Sequence, residues 1–284
     1  MNRLTATGLV TPALLLTVVM LAIPMVVLFV ISLRPGYPIA IDVVGLASYA
    51  EALTDIYYLR ILGRTVLMAI GITVVALFFA LPLAHFLART TSRYKSLLLL
   101  AIILPLFVGN AVRAIGWMML LGERGVVNTL ALGLGAESPF AFMYTWKAVL
   151  LGAAAVNLPY LVLTLQSVLE QISTSVEEAS MSLGATPIQT WFLITLPMMA
   201  PGLLAACSLS FILAMNAYAT PVLLGGPRFR MMGPTIAEEI MVQNDWSVGA
   251  ALAFVLIATT MVLSILLTRV IAHSVVRKGA RVSS

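Results

Sequence analysis

Six apolar runs, each long enough to cross a bilayer as a helix, leave this chain few ways to fold. They cover roughly 9 to 33, 62 to 88, 96 to 121, 143 to 169, 198 to 223 and 246 to 272. About 20 apolar residues span the hydrocarbon core as a helix, whereas a transmembrane barrel would show alternating segments of about ten. Only 10% of the 284 residues are charged, against roughly 25% in soluble domains. The expectation is an all-α, polytopic membrane protein, with residues 1–284 forming a single transmembrane domain of about six spans.

The first run is longer than the roughly 7 to 15 residues of a signal-peptide core. No small-x-small cleavage site precedes Arg34-Pro35-Gly36, so it is read as an uncleaved span. The lone Cys207 lies inside the fifth run, which leaves no disulfide and no cysteine-based metal site. Six spans put both termini on one side. That side carries Arg3, the turn Arg89, Arg93 and Lys95, and the tail Arg269, Arg277, Lys278 and Arg281, eight in all, and the other side also carries eight. The compact turn and the tail, close to span ends, favour a cytoplasmic location for the termini. The net charge of +5 is then directed at anionic lipid headgroups and not at nucleic acid.

One polar interruption stands out, from Glu177 to Pro187. Ser175 and Glu178 have the spacing of a capping box and predict a short helix from about 176 to 183. Gly184 suits the left-handed residue that ends it, and Thr186-Pro187-Ile188-Gln189 repeats the cap with proline at the first helical position. The loop therefore reads as two short helices with a bend. Met181, Leu183, Ile188, Trp191 and Phe192 place bulky apolar side chains on helices too short to be stable alone. They rest on the membrane surface, or pack on the chain's own spans, or dock a partner.

Glu178-Ala179-Ser180, three residues, Gly184, nine residues, then Ile194-x-Leu196-Pro197 resembles the E-A-A-x3-G-x9-I-x-L-P loop of permease subunits of bacterial ATP-binding cassette importers. The third position departs, with Ser180 where the family usually has alanine. The resemblance implies a multi-pass protein of the bacterial inner membrane, with the type I importer permease fold and the 170 to 197 loop cytoplasmic. It also implies that Glu178 contacts a groove of a separate ATPase, that Gly184 allows the bend, and that Met181, Leu183 and Trp191 fill the groove. The implied partners are an ATPase dimer holding Mg-ATP, a second homologous permease, and a periplasmic or lipid-anchored solute-binding protein. This chain itself would hold no cofactor. The stretch Ser48 to Arg60, the block Arg113-x3-Trp117-Met118, and Ala219-Thr220-Pro221-x-Leu223-Leu224-Gly225-Gly226 resemble the polyamine-type branch. Putrescine or spermidine is the cargo that this implies.

Polar groups within the runs mark where spans face protein or a wet cavity. Asn157 and Asn216 sit at mid-depth of the fourth and fifth, and Tyr218 one turn short of the outer end. Each fits helix-to-helix bonding or a translocation pathway. Arg113, seventeen residues past Ser96, would lie about 25 Å along a straight helix, at the outer interface. It can snorkel there or line the pathway. His85 reads as an interface residue bonded to a carbonyl or to headgroups. Residues 46 to 60 read as an interfacial amphipathic helix, and 122 to 142 as a short helix outside the membrane. Ala148 with Gly152, and Gly202 with Ala206, have the spacing that lets helices approach closely.

No G-x-x-x-x-G-K-[ST] occurs, so the chain has no P-loop and is not read as an enzyme. An ion-coupled carrier for a small organic solute is the rival, and it needs acids or histidines at mid-membrane. None of the eleven acids falls mid-span. An intramembrane enzyme would need a catalytic constellation, and His85 and His273 stand apart.

Overall fold

The structure, a computed structural model, describes residues 3–38, 43–135 and 138–280, with side chains omitted at 3–10, 13–14 and 270–280. Arg281, and the side chains of Arg3, His273, Arg277 and Lys278, lie outside the described residues. Among those described there is no strand. The helices run α1 (Arg3–Ser32), α2 (Ala47–Thr54), α3 (Ile56–Arg89), α4 (Lys95–Ile103), α5 (Asn110–Leu121), α6 (Val126–Gly133), α7 (Trp146–Glu170), α8 (Thr174–Ser182), α9 (Pro187–Thr190), α10 (Leu196–Met198), α11 (Ala200–Met215), α12 (Met232–Met241) and α13 (Trp246–Ala280).

Helices α1, α3, α7 and α13 are each long and apolar enough to cross a membrane. Two bent pairs are long and apolar enough when each is taken together: Lys95–Phe107 with Asn110–Gly133 turns by 105°, and Pro187–Met198 with Ala200–Met215 by 72°. Together they account for the six runs, but not as six straight rods. The third run breaks because Pro105 lacks an N–H and α4 tightens into a 3₁₀ turn, Leu104–Phe107. Val108 and Gly109 are then extended before α5 starts. Arg113 is thus in the first turn of a new helix and not 25 Å along an old one. The fifth run ends early: α11 stops at Met215 with Asn216 as its cap. A π-turn, Pro221–Gly225, follows, and Gly226, at φ 52°, takes a conformation that side chains disfavour. Asn216 is therefore at a helix end and not inside a span. The expected helix at 46 to 60 is interrupted at Asp55, which is extended and accepts the Tyr57 N–H at 2.7 Å.

The chain divides into two compact units, Met1–Arg60 with Thr235–Ala258, and Ile61–Pro234 with Thr259–Ser284. In the first, Phe29 meets Phe254 edge-on at 5.5 Å, and Glu51, Asp55, Glu239 and Asp245 lie close enough to repel. Burial, then the charges of Asp245 and Asp55, hold the Glu51 carboxyl above its ordinary value. Burial does the same to Glu239, with Asp245, Glu238 and Glu51 adding and a hydrogen bond from Tyr58 opposing. The folded state then binds these protons more tightly than the unfolded chain. Stability therefore falls as pH rises through the range above 4.5. Glu51→Gln should raise the unfolding midpoint of the detergent-solubilised protein at neutral pH by roughly a degree, since solvent screens the site. It should also flatten the fall that sets in above pH 4.5. An unchanged pH slope would show that these charges do not interact.

In the second unit α7 and α11 form the centre. Leu161, Leu165 and Phe211 are fully buried. Gly71 of α3 sits against Leu150, and Gly202 of α11 against Val168. Such close approach is how helices gain packing where lipid offers no hydrophobic gain. Thr65 of α3 accepts the Met232 N–H at 2.9 Å, and Ser208 of α11 bonds Thr268 of α13 at 3.2 Å.

Candidate functional site: the 170 to 197 loop and a polar cavity

Where α7 ends, Glu170 accepts from Lys95 Nζ at 2.8 Å and Gln166 Nε2 at 3.1 Å. Ser173, not Ser175, caps α8, its hydroxyl accepting the Ser175 N–H. The carbonyl just before this cap, that of Ile172, accepts from Arg89 Nη1 at 3.0 Å. The loop's inward acid is Glu177 and not Glu178. Its Oε1 accepts from Arg89 Nη2 at 2.8 Å and from Thr195 Oγ1 at 3.0 Å. Both partners of the ion pair are mostly shielded, with side chains 17% and 14% exposed.

The far end of α8 closes as a Schellman turn. The Ala185 N–H reaches Ser180 O at 3.2 Å and the Gly184 N–H reaches Met181 O at 3.0 Å. Gly184 takes φ 93°, the left-handed bend its position foretold. Thr186 and Gln189 then form a complete capping box with Pro187 at the first turn of α9. Ser180, the departure from the family pattern, is buried and bonds Thr190 Oγ1 at 3.1 Å, tying α8 to α9.

A π-turn, Trp191–Thr195, follows. It rotates Trp191 back onto its own chain, where its ring meets His85 edge-on at 4.6 Å. Trp191 is thus half-buried against α3, which differs from the groove-filling expectation. His85 has no partner at Nδ1 among the described residues, so an aromatic ring takes the place of the carbonyl expected beside it. The two rings line a cavity of about 480 Å³ with Leu81, Pro82, Met181 and Ile188. On the outside of the elbow Leu183 is 91% exposed, Ile188 71% and Phe192 59%, while Leu196 is half-buried and Glu178, Ala179, Gly184 and Pro197 are exposed.

A second cavity of about 540 Å³ is lined by Asn110, Asn157, Tyr160, Asn216, Tyr218 and Thr220, among others, and no carboxylate is among its lining residues. Asn157 is buried and donates to Ser210 O and Oγ, each at 3.0 Å, so it ties α7 to α11. Asn216 donates to Ile212 O at 2.8 Å. Arg113 is outside the lining but bonds Asn110 Oδ1. Its Nε and Nη1 are buried without a hydrogen-bond partner among the described residues.

Residues 80–278 match the family described as the binding-protein-dependent transport system inner membrane component. The chain belongs to that family. It is an ABC importer permease, a transport protein and not an enzyme. The spermidine/putrescine transport system permease protein PotB of Escherichia coli strain K12 is 31% identical over 223 residues, 78% of this chain and 80% of the relative. The protein of the same name in Haemophilus influenzae is 28% identical over 233 residues, 82% of this chain and 78% of the relative. The molybdenum transport system permease protein ModB of Mycobacterium bovis is 28% identical over 197 residues, 68% of this chain and 73% of the relative. In fold, the importer permease matches a chain of a bacterial ABC transporter involved in import of the acidic polysaccharide alginate. There the TM-score is 0.73 at 16% identity, covering 96% of this chain and 95% of that one.

Sequence reasoning missed Arg89, Glu177, Thr195 and Ser173. The one available signal was positional: Arg89 is in the last turn of its helix and Glu177 in the first turn of its own, where the helix dipoles favour those charges.

Proposed function

We propose that this importer permease forms half of the translocation pathway for a polyamine, putrescine or spermidine, as a single transmembrane domain driven by a separate ATPase. The observation that carries the coupling reading is the elbow itself: two capped helices, bent at Gly184 and anchored from within, that present Leu183, Ile188 and Phe192 to the outside. An ATPase dimer holding Mg-ATP grips this surface, with Glu178 at the rim of its groove. A second homologous permease completes the pathway, and a periplasmic or lipid-anchored binding protein delivers the cargo. Both termini and the 170 to 197 loop face the cytoplasm of a bacterial cell. The relatives named for spermidine and putrescine, about 30% identical over most of the chain, support the substrate class.

The polar cavity suits passage better than retention. Asn157, Asn216 and Tyr218 offer amides and an aromatic face, and no acid holds a cation tightly. Arg113, bonded to Asn110 beside it, sets the local charge and keeps binding weak. Specificity then resides mainly in the binding protein. Proteoliposomes containing this permease, its second permease, the ATPase and the binding protein should take up radiolabelled spermidine or putrescine only with ATP on the ATPase side. Uptake of molybdate and not of either polyamine would overturn the substrate, and uptake without ATP would overturn the drive.

A further inference from the structure

We infer that Arg89 is a positioning residue that locks the coupling loop to α3, so that a pull on the loop moves that helix instead of bending the loop at its ends. This rests on the reading that the elbow docks the ATPase. α8 has nine residues and could not hold its shape or its place alone. Its flanks interrupt the helices, with a turn at Gln171 and Ile172 on one side and the 72° bend between α10 and α11 on the other, and these are the joints at which it would bend. A force applied at Leu183 would be spent at those joints unless something bridges them.

The Arg89 guanidinium is that bridge. One of its nitrogens holds the Ile172 carbonyl before α8 and another holds Glu177 within it. The same Glu177 oxygen takes the Thr195 hydroxyl from beyond α9. Three points of the loop, 172, 177 and 195, are thereby fixed to the last turn of one helix. Arg89 is held at the negative end of α3 and Glu177 at the positive end of α8, so the dipoles of both helices favour the pair. Its shielding keeps salt from screening it. The Trp191 to His85 contact one turn up α3 resists rotation about this point. Lys95 and Glu170, at 30% and 43% exposed, are too open to serve equally. At its other end α3 holds Met232 through Thr65, and along its length it meets α7 at Gly71.

The test uses the complete complex in proteoliposomes, with Ser182→Cys, exposed beside Leu183, to report cross-linking to a cysteine in the ATPase groove, and measures substrate moved per ATP hydrolysed. Arg89→Ala and Glu177→Gln should keep the cross-link and the hydrolysis but lower transport per ATP by roughly tenfold. That is the size of loss expected from coupling between directly bonded residues. The double variant should be little worse than Arg89→Ala alone, because that change already removes the ion pair that Glu177→Gln weakens. Arg89→Lys, which keeps the charge but loses the fork, should recover part of the transport. Should Arg89→Ala fail to assemble, Thr195→Val and Arg89→Lys each remove one bond and should give intermediate ratios. Unchanged transport per ATP in assembled variants with the cross-link intact would overturn the latch. No cross-link in the otherwise unaltered complex would remove the docking reading beneath it.

Discussion

Leu183→Glu should strip the ATPase from the purified complex and bring uptake down to background, while the permease itself still folds and inserts. The side chain is 91% exposed, so within this chain it touches almost nothing that a substitution could disturb. Surface changes of that kind alter folding stability by about 0.5 kcal/mol or less. Docked in an apolar groove, the same leucine contributes about 1.5 to 3 kcal/mol by burial. A carboxylate in its place would have to be desolvated without a partner, which adds several kcal/mol more. A loss near 3 kcal/mol lowers affinity by a factor of roughly 100 or more. Ile188→Glu should act in the same direction on the neighbouring turn, and Glu178→Gln, at the rim, much less. Co-purification of the ATPase with the permease decides the matter. Retention at the original level with Leu183→Glu would mean that the elbow is not the grip.

Much of this elbow was legible in the sequence because its signals are local. Gly184, Thr186, Pro187 and Gln189 act within four residues of one another, and backbone sterics and capping alone place the bend and the second cap. The first cap was misplaced from Ser173 to Ser175 for the opposite reason. Three hydroxyls in a row, Ser173-Thr174-Ser175, are nearly equivalent as caps, and the carbonyl beside the one used, that of Ile172, is held by Arg89, 83 residues away. The Arg89 to Glu177 pair, 88 residues apart, is invisible to any window of local pattern. The apolar runs likewise fixed how much chain is available to cross the membrane but not whether each run is straight. Pro105 and Gly109 in the third run, Pro221 near the end of the fifth, and Gly225 and Gly226 beyond it are helix breakers by residue type. Their combined outcome, a 105° break in one case and an early stop at Asn216 in the other, depends on what the freed backbone groups find to bond. The amides at Asn157 and Asn216 announced a polar interior, and the pairing of Asn157 with Ser210 across 53 residues did not.

The heaviest effect on assembly should come from adding one methyl group at Gly202, and comparison with Gly152 shows why. A Cβ at Gly202 would fall on the whole Val168 side chain, 2.7 Å from Cγ1 and 2.8 Å from Cβ, with Cγ2 closer still. Valine branches at Cβ and has little rotamer freedom in a helix, so it cannot turn away. The conflict must instead part α7 from α11, the central pair that also carries the Asn157 to Ser210 bonds. A Cβ at Gly152 would also meet a neighbour, Leu224 Cδ1, but that atom is the far end of a flexible side chain, with Thr220 Cγ2 next at 3.1 Å. Leucine, unbranched at Cβ, has more freedom than valine to move Cδ1 aside. Overpacking a tight site costs about 1 to 3 kcal/mol, and further loss follows if the amide bonds stretch, because a buried unpaired group costs a similar amount. Gly202→Ala should therefore reduce folded permease in the membrane by roughly tenfold or more, and Gly152→Ala by no more than about twofold. Adding Val168→Ala to Gly202→Ala should restore most of the lost protein, because the extra methyl then occupies the space that valine vacates. Equal losses from both glycine variants, or no recovery in the double variant, would mean that the α7 to α11 approach does not limit folding.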